Sequence, residues 1–205
     1  MDFISGLAFN ARHFDRHFLA ELNEESYIET AKYLQSVITD EVIAEALGRW
    51  PEAIYAKDGK EIEAKLKSRR KDLVKYAKDF YAYLTKEVTV IGTNGKNIFD
   101  ITTEPDDKLN VKTYHLDKSG DKHLIWSRVI DGKDCDELRL YGLKKKDVYN
   151  FSGTEKSSIK INLVGGSGND ILNNNSTHLK ITAYDRPDGM ALNGNSVRSL
   201  SLIHI

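Results

Sequence analysis

The chain has little with which to lock itself covalently. Cys135 is its one cysteine, which excludes an intrachain disulfide and a cysteine-based zinc cluster. Asp134 and Asp136 flank that thiol, and carboxylates beside a sulfur disfavour the thiolate, so a nucleophilic role is unsupported. There is no surplus of either charge. A net charge of −1 provides no global field to draw in nucleic acid or anionic lipid. Long apolar runs are also missing: none approaches the ~20 residues a helix needs to cross a bilayer. The segment Met1 to Phe9 lacks a basic region and a sustained apolar stretch, and does not read as a signal peptide. No Gly-x-Ser-x-Gly elbow and no P-loop occur. What is present is ordinary for a folded chain, with 40% hydrophobic and 30% charged residues in 205. That length suits one or two domains, each able to bury a core.

A phrase recurs. Ile161-Asn162-Leu163-Val164-Gly165-Gly166-Ser167-Gly168-Asn169-Asp170-Ile171-Leu172 reads as an apolar strand, a glycine-rich turn, an acid and a second apolar pair. Val88 to Gly92 leads in the same way to Asn97-Ile98-Phe99, and Leu138 to Gly142 leads to Asp147-Val148-Tyr149. In each copy a glycine stands five residues before an Asp or Asn. The second and third copies are 23 residues apart, which fits one coil of a parallel β-solenoid. The first lies 50 residues before the second, leaving room for an inserted hairpin.

Two segments follow from periodicity. Residues 1–86 form the expected helical domain, a bundle or cap. Phe14, Phe18 and Leu22 share a face, Asn23 caps a helix carrying Tyr27, Ala31, Leu34 and Ile38, and Thr39 caps another with Val42, Ile43 and Leu47 inward, ended by Gly48. Pro51 opens a short helix, Asp58-Gly59 marks a turn, and Ile62 to Leu84 keep a helical period, as one helix or as two joined near Ser68-Arg69-Arg70. Tyr76, Phe80, Tyr81 and Tyr83 belong to the core and its rim. From Glu87 the period becomes two, with β-branched and aromatic residues. Residues 87–205 form the expected β-rich domain, with a hairpin at about 104–131 turning at Lys118-Ser119-Gly120-Asp121 and a final strand within Val197 to Ile205. The fold class is therefore α+β: a helical bundle or cap, then a short solenoid-like or sandwich-like repeat.

Several residue groups merit consideration as sites. His13 and His17 stand four apart on a helix, as zinc ligands do, but the Glu of the zincin motif is absent and no third ligand is indicated. Asp131-Gly132-Lys133-Asp134-Cys135-Asp136-Glu137 is an acidic loop better read as a solvated turn. Lys67-Ser68-Arg69-Arg70-Lys71 is a basic cluster better read as a solvated helix face than as a nucleic-acid patch. Asp121-Lys122-His123 has the spacing of the first metal motif of metallophosphoesterases, whose other motifs do not occur, so it is a hairpin.

Gly165-Gly166-Ser167-Gly168-Asn169-Asp170-Ile171-Leu172-Asn173 resembles the nonapeptide of hemolysin-type calcium-binding repeats. The resemblance implies calcium held by the carbonyls of Gly165, Gly166 and Gly168 and by Asp170, since calcium takes six to eight hard oxygen ligands. Such sites are shared between neighbouring turns, however, and the sister turns carry Lys144-Lys145-Lys146 and Lys96. Gly165 and Asp170 acting purely as a corner is the competing reading. Phe18 to Leu22, Leu34 to Ile43, Lys65 to Leu73 and Leu138 to Leu143 resemble the middle region of large bacterial cell-envelope proteins. Those proteins join a calcineurin-like phosphoesterase domain to a surface-antigen outer-membrane barrel. The resemblance implies a module located in the cell envelope, in the periplasm or at the cell surface. Its partners would be the other domains of a longer parent, with no nucleic acid and no membrane insertion by this chain. Three functions are open: a non-catalytic structural or interaction module, a calcium-stabilised module centred on Asp170, and a fragment of a metallophosphoesterase-containing protein lacking its catalytic domain.

Overall fold

A computed structural model describes residues 10–19 and 22–201. The protein is α+β, with a helical amino-terminal region followed by a β-rich region of two sheets. It divides into two compact units. Among the described residues, the first runs from Leu22 to Tyr83, and the second joins residues 10–19 to the chain from Leu84 onward.

Helix α1 (Arg12–Phe18) belongs to the second unit, where Arg16 Nη1 donates to Glu87 Oε2 at 2.8 Å. Its Phe14 and Phe18 rings lie against each other at 4.3 Å but are 65% and 61% exposed, so that face is no core face. The histidine side chains at positions 13 and 17 lie outside the described residues, and so does the end of the expected last strand.

The first unit holds α2 (Glu24–Val37), α3 (Asp40–Gly48), α4 (Glu52–Ile54), a π turn (Tyr55–Gly59), α5 (Lys60–Lys71) and α6 (Leu73–Thr85) as far as Tyr83. The caps are those the sequence specifies. Asn23 Oδ1 accepts from Ser26 N at 3.0 Å and Thr39 Oγ1 from Val42 N at 3.3 Å, which relieves amides that no helical carbonyl can reach. Asp58-Gly59 does not turn the chain; it continues as π helix into α5, which breaks from α6 at Asp72. Ala31, Ile43 and Leu47 are buried, yet Leu34, Val42 and Leu66 stay more than a third exposed. Short helices with one or two neighbours each cannot cover a full apolar stripe. Tyr27 meets Phe80 and Tyr81 edge-on, while Tyr76 stays 44% exposed.

In the second unit, β1 (Glu87–Ile91), β5 (Glu137–Tyr141), β7 (Lys160–Val164), β9 (Lys180–Asp185) and β11 (Arg198–Ser201) form a parallel sheet in that order. The facing sheet runs β10 (Met190–Gly194), β8 (Asp170–Asn174), β6 (Val148–Ser152), β2 (Lys96–Glu104), β3 (Lys108–Leu116), β4 (Lys122–Asp131). From β5 onward, successive strands alternate between the sheets. The β2–β3 and β3–β4 pairs are antiparallel, and Leu109 faces Ile130, as the hairpin chemistry predicts.

Register makes the core. Val88, Leu138, Ile161 and Ile181 are direct neighbours across one sheet, and Phe99, Tyr149, Leu172 and Leu192 across the other. The Phe99 and Tyr149 rings stack at 4.7 Å and 10°. In β1, β3 and β5 to β9 alternate side chains point inward, so one-residue slips would expose whole rows. On the outer face an amide row runs across four strands. Asn150 Nδ2 donates to Asp100 Oδ1 at 2.7 Å, Asn173 Nδ2 to Asn150 Oδ1 at 2.9 Å, and Asn193 Nδ2 to Asn173 Oδ1 at 3.0 Å.

Candidate functional site

The three glycine–acid phrases meet at one corner of the sheets. The N–H of Gly92 donates to Tyr141 O at 2.8 Å, that of Gly142 to Val164 O at 3.0 Å, and that of Gly165 to Tyr184 O at 3.1 Å. At the other end of each turn the acids are linked in series. Asn97 N–H donates to Asp147 Oδ1 at 2.7 Å, and Asp147 N–H donates to Asp170 Oδ1 at 2.8 Å. Each carboxylate thus holds the amide of the preceding turn, a charge-assisted bond inside the protein.

The five-residue spacing has a steric cause. A side chain at Gly142 would strike Asp147 Oδ2, Tyr149 OH and Gly165 O; one at Gly165 would strike Asp170 Oδ2 and Asp185 Oδ2. The glycine vacates the space into which the acid five residues later turns. Gly166 (φ +102°) and Gly168 back directly onto the Leu143 and Lys145 carbonyls of the neighbouring turn, and Ser167 N–H donates to Leu143 O at 3.0 Å.

Register places a fourth turn on this corner, which the sequence reading missed. Val164 pairs with Tyr184 and Asp170 with Met190, so Asp185 occupies the glycine position and Met190 the acid position. The acid has changed places within the phrase, and a search for glycine followed by Asp passes over it. In the sequence Tyr149 likewise stands only as half of an apolar pair. The spacing of five residues from Asp185 to Met190 was the available signal.

The result is a buried column of Asp147, Asp170 and Asp185 beside Tyr149, all between 0% and 5% exposed. Asp147 Oδ2, Asp170 Oδ2, Asp185 Oδ2 and Tyr149 OH are buried with no hydrogen-bond partner. Burial pushes the Asp147 carboxyl up to about 7, with the charge of Asp170 adding to it against the Asn97 bonds. Asp170 and Asp185 are raised by burial too, with Arg186 opposing. The Tyr149 hydroxyl is pushed well above its usual range by burial and by all three acids. These shifts follow from desolvation, which penalises the charged form.

Calcium is the group the nonapeptide implies, and the residues fit it incompletely. Asp170 Oδ2 is unpartnered. Gly168 O, however, accepts from the Arg186 guanidinium at 2.7 Å, and Asp170 Oδ1 is engaged by Asp147 N–H. Among the described residues no three His, Cys, Asp or Glu side chains are grouped to hold a metal.

The other candidates resolve locally. Asp131 Oδ1 accepts from Lys133 N, and Asp131 O from Asp134 N and Cys135 N. Cys135 is buried there, and burial pushes its thiol up. Lys67 pairs with Glu63 at 2.8 Å and Asp40 at 3.2 Å, and Arg70 Nη1 donates to Ile38 O at 2.8 Å, so this part of the basic cluster is engaged within its own unit. His123 Nε2 lies 2.8 Å from Asp117 Oδ2, and Asp117 Oδ1 accepts from Ser119 N and Asp121 N, which makes Asp121-Lys122-His123 one side of a turn.

No family model, curated protein or solved structure gives a significant match to this chain.

Proposed function

We propose that this chain is a non-catalytic structural or interaction module of a bacterial cell-envelope protein, with its β region built as a short solenoid of two-strand coils. Each coil would give one strand to each sheet, with β3 and β4 as an inserted hairpin, in a domain spanning 87–205 after a helical domain at 1–86. The alternation of parallel strands between sheets and the in-register apolar columns support the solenoid reading. One observation carries the non-catalytic reading: the strongly shifted side chains are sealed in the interior, at most 5% exposed, rather than gathered in a cleft. An active site needs its titrating groups within reach of a substrate. Phosphoester hydrolysis by this chain, measured with added divalent metals, tests that part. No turnover is expected, and turnover abolished by Asp147→Asn overturns the reading. The envelope setting rests on the resemblance, with other domains of a longer parent as partners. Reading the gene on both sides tests it: phosphoesterase or barrel sequence supports the setting, and stop codons at both ends contradict it.

A second reading, a calcium-stabilised module using Gly165, Gly166, Gly168 and Asp170, is favoured by the unpartnered carboxylate oxygens. A ligand that binds only the native state raises its stability. An increase in melting temperature at millimolar calcium over EDTA supports this reading, and unchanged melting removes it.

A further inference from the structure

The outward face of the parallel sheet is patterned where its strands reach the corner turns. In β5, β7 and β9 every second side chain points away from the core. Register sets Tyr141, Val164 and Tyr184 side by side in the last outward row, and Arg139, Asn162 and Thr182 in the row before it. A hollow of about 240 Å³ opens here, lined by Glu137, Arg139, Tyr141, Asn162, Val164 and Tyr184. Its polar groups are held in place. Glu137 Oε1 accepts from Arg139 Nε and, at 2.8 Å, from Asn162 Nδ2, and Arg139 Nη1 lies 3.0 Å from Glu87 Oε2. Planar groups fixed in this way lose little freedom when a ligand binds.

The two tyrosines stand on strands two inter-strand spacings apart, about 9.6 Å, close to the repeat of a β-1,4-linked disaccharide. A pyranose ring has C–H groups on its faces and hydroxyls at its rim. The C–H groups suit the electron-rich face of a tyrosine, and the hydroxyls suit Arg139 and Asn162.

Three residues beyond Tyr141 the chain turns through Lys144-Lys145-Lys146. All three are exposed, and among the described residues they and Lys96 make no ion pair. The Ile98–Val148 pair aligns Lys96 with Lys146 in the neighbouring turn, and like charges side by side repel. The turn is also strained. Leu143 (φ +77°) and Lys145 (φ +68°) hold the left-handed conformation, and the next turn has Gly166 (φ +102°) at the position of Leu143. Strain of this kind collects at binding surfaces, and an anion would relieve the repulsion.

We propose that this face binds a polysaccharide carrying carboxylates, with sugar rings across Tyr141 and Tyr184 and carboxylates against Lys144, Lys145 and Lys146. The inference depends neither on the envelope setting nor on calcium.

Affinity electrophoresis of the full chain tests it, in gels cast with alginate, polygalacturonate or hyaluronan. At least one of these is expected to retard the protein, and neutral hydroxyethylcellulose and double-stranded DNA are expected to retard it far less. Tyr184→Ala should weaken binding by about tenfold, Tyr184→Phe should keep it, and joint Lys144→Gln, Lys145→Gln and Lys146→Gln substitution should abolish it, each at wild-type melting temperature. Thr182→Glu puts a like charge on the face without touching the aromatic row, and is expected to weaken binding too. No retardation by any of the three acidic polymers overturns the proposal. Equal retention by hydroxyethylcellulose or DNA does so as well, and so does a Tyr184→Ala or Thr182→Glu protein that binds like wild type.

Discussion

Asp147 shows what a buried acid does when its neighbours offer it one hydrogen-bonded oxygen and leave the other bare. Its folded pKa, about 7, lies above the ordinary 3.8, so the folded state binds the proton more tightly than the unfolded chain. The resulting stabilisation is fully present below about pH 4 and is lost as pH rises through 7. Melting temperature should therefore fall between pH 5 and pH 8, against the usual trend for carboxylates. Asp147→Asn should flatten that profile and raise stability at pH 8 by on the order of 2 kcal/mol, because the amide is a neutral isostere. Asn97 already stands at the equivalent place in the neighbouring turn, aligned through the Ile98–Val148 pair. A variant that melts with the wild-type pH profile would contradict this. Two glycines give a second contrast. A methyl at Gly168 meets the Lys145 carbonyl, whereas one at Gly120 (φ +89°) meets open space. Gly168→Ala should cost upwards of about 3 kcal/mol through backbone displacement, and Gly120→Ala about 1–2 kcal/mol through φ alone, both read from urea unfolding.

At the scale of elements, helix boundaries were legible because caps are local: Asn23 and Thr39 bond amides three residues on. Thr39→Ala should cost about 1 kcal/mol, measured as loss of helical ellipticity on heating. Strand positions were legible from alternation, and the corner from the recurrence of glycine and acid. The fourth turn was not, since nothing local says that Asp185 replaces a glycine; only the pairing of Val164 with Tyr184 places it. The amide row was hidden for the same reason. Asp100, Asn150, Asn173 and Asn193 are ordinary polar residues until register sets them side by side. Asn150→Ala removes two bonds of that row and should cost about 1–2 kcal/mol, readable as a lower urea midpoint at unchanged slope.

For the whole molecule, the two units differ in the kind of core they build. The β unit has continuous buried columns crossing both sheets, while the helical unit buries Ala31, Ile43 and Leu47 and leaves many apolar side chains half covered. Local stability follows buried apolar contact, so amides of α2 to α5 should exchange faster than those of β5 to β8. The unit division itself was only partly legible, because α1 has a helical period like its successors, and its place beside β1, marked by the pair of Arg16 with Glu87, is a long-range contact. The buried acids serve the architecture: Asp147 and Asp170 each fix the amide of the preceding turn through a carboxylate oxygen. Native-state hydrogen exchange resolved at single amides tests this most directly. The amides of Asn97 and Asp147 should be among the slowest in the protein, exchanging only with opening of the whole β unit. Exchange at the corner as fast as at Gly120 in its exposed turn would contradict it.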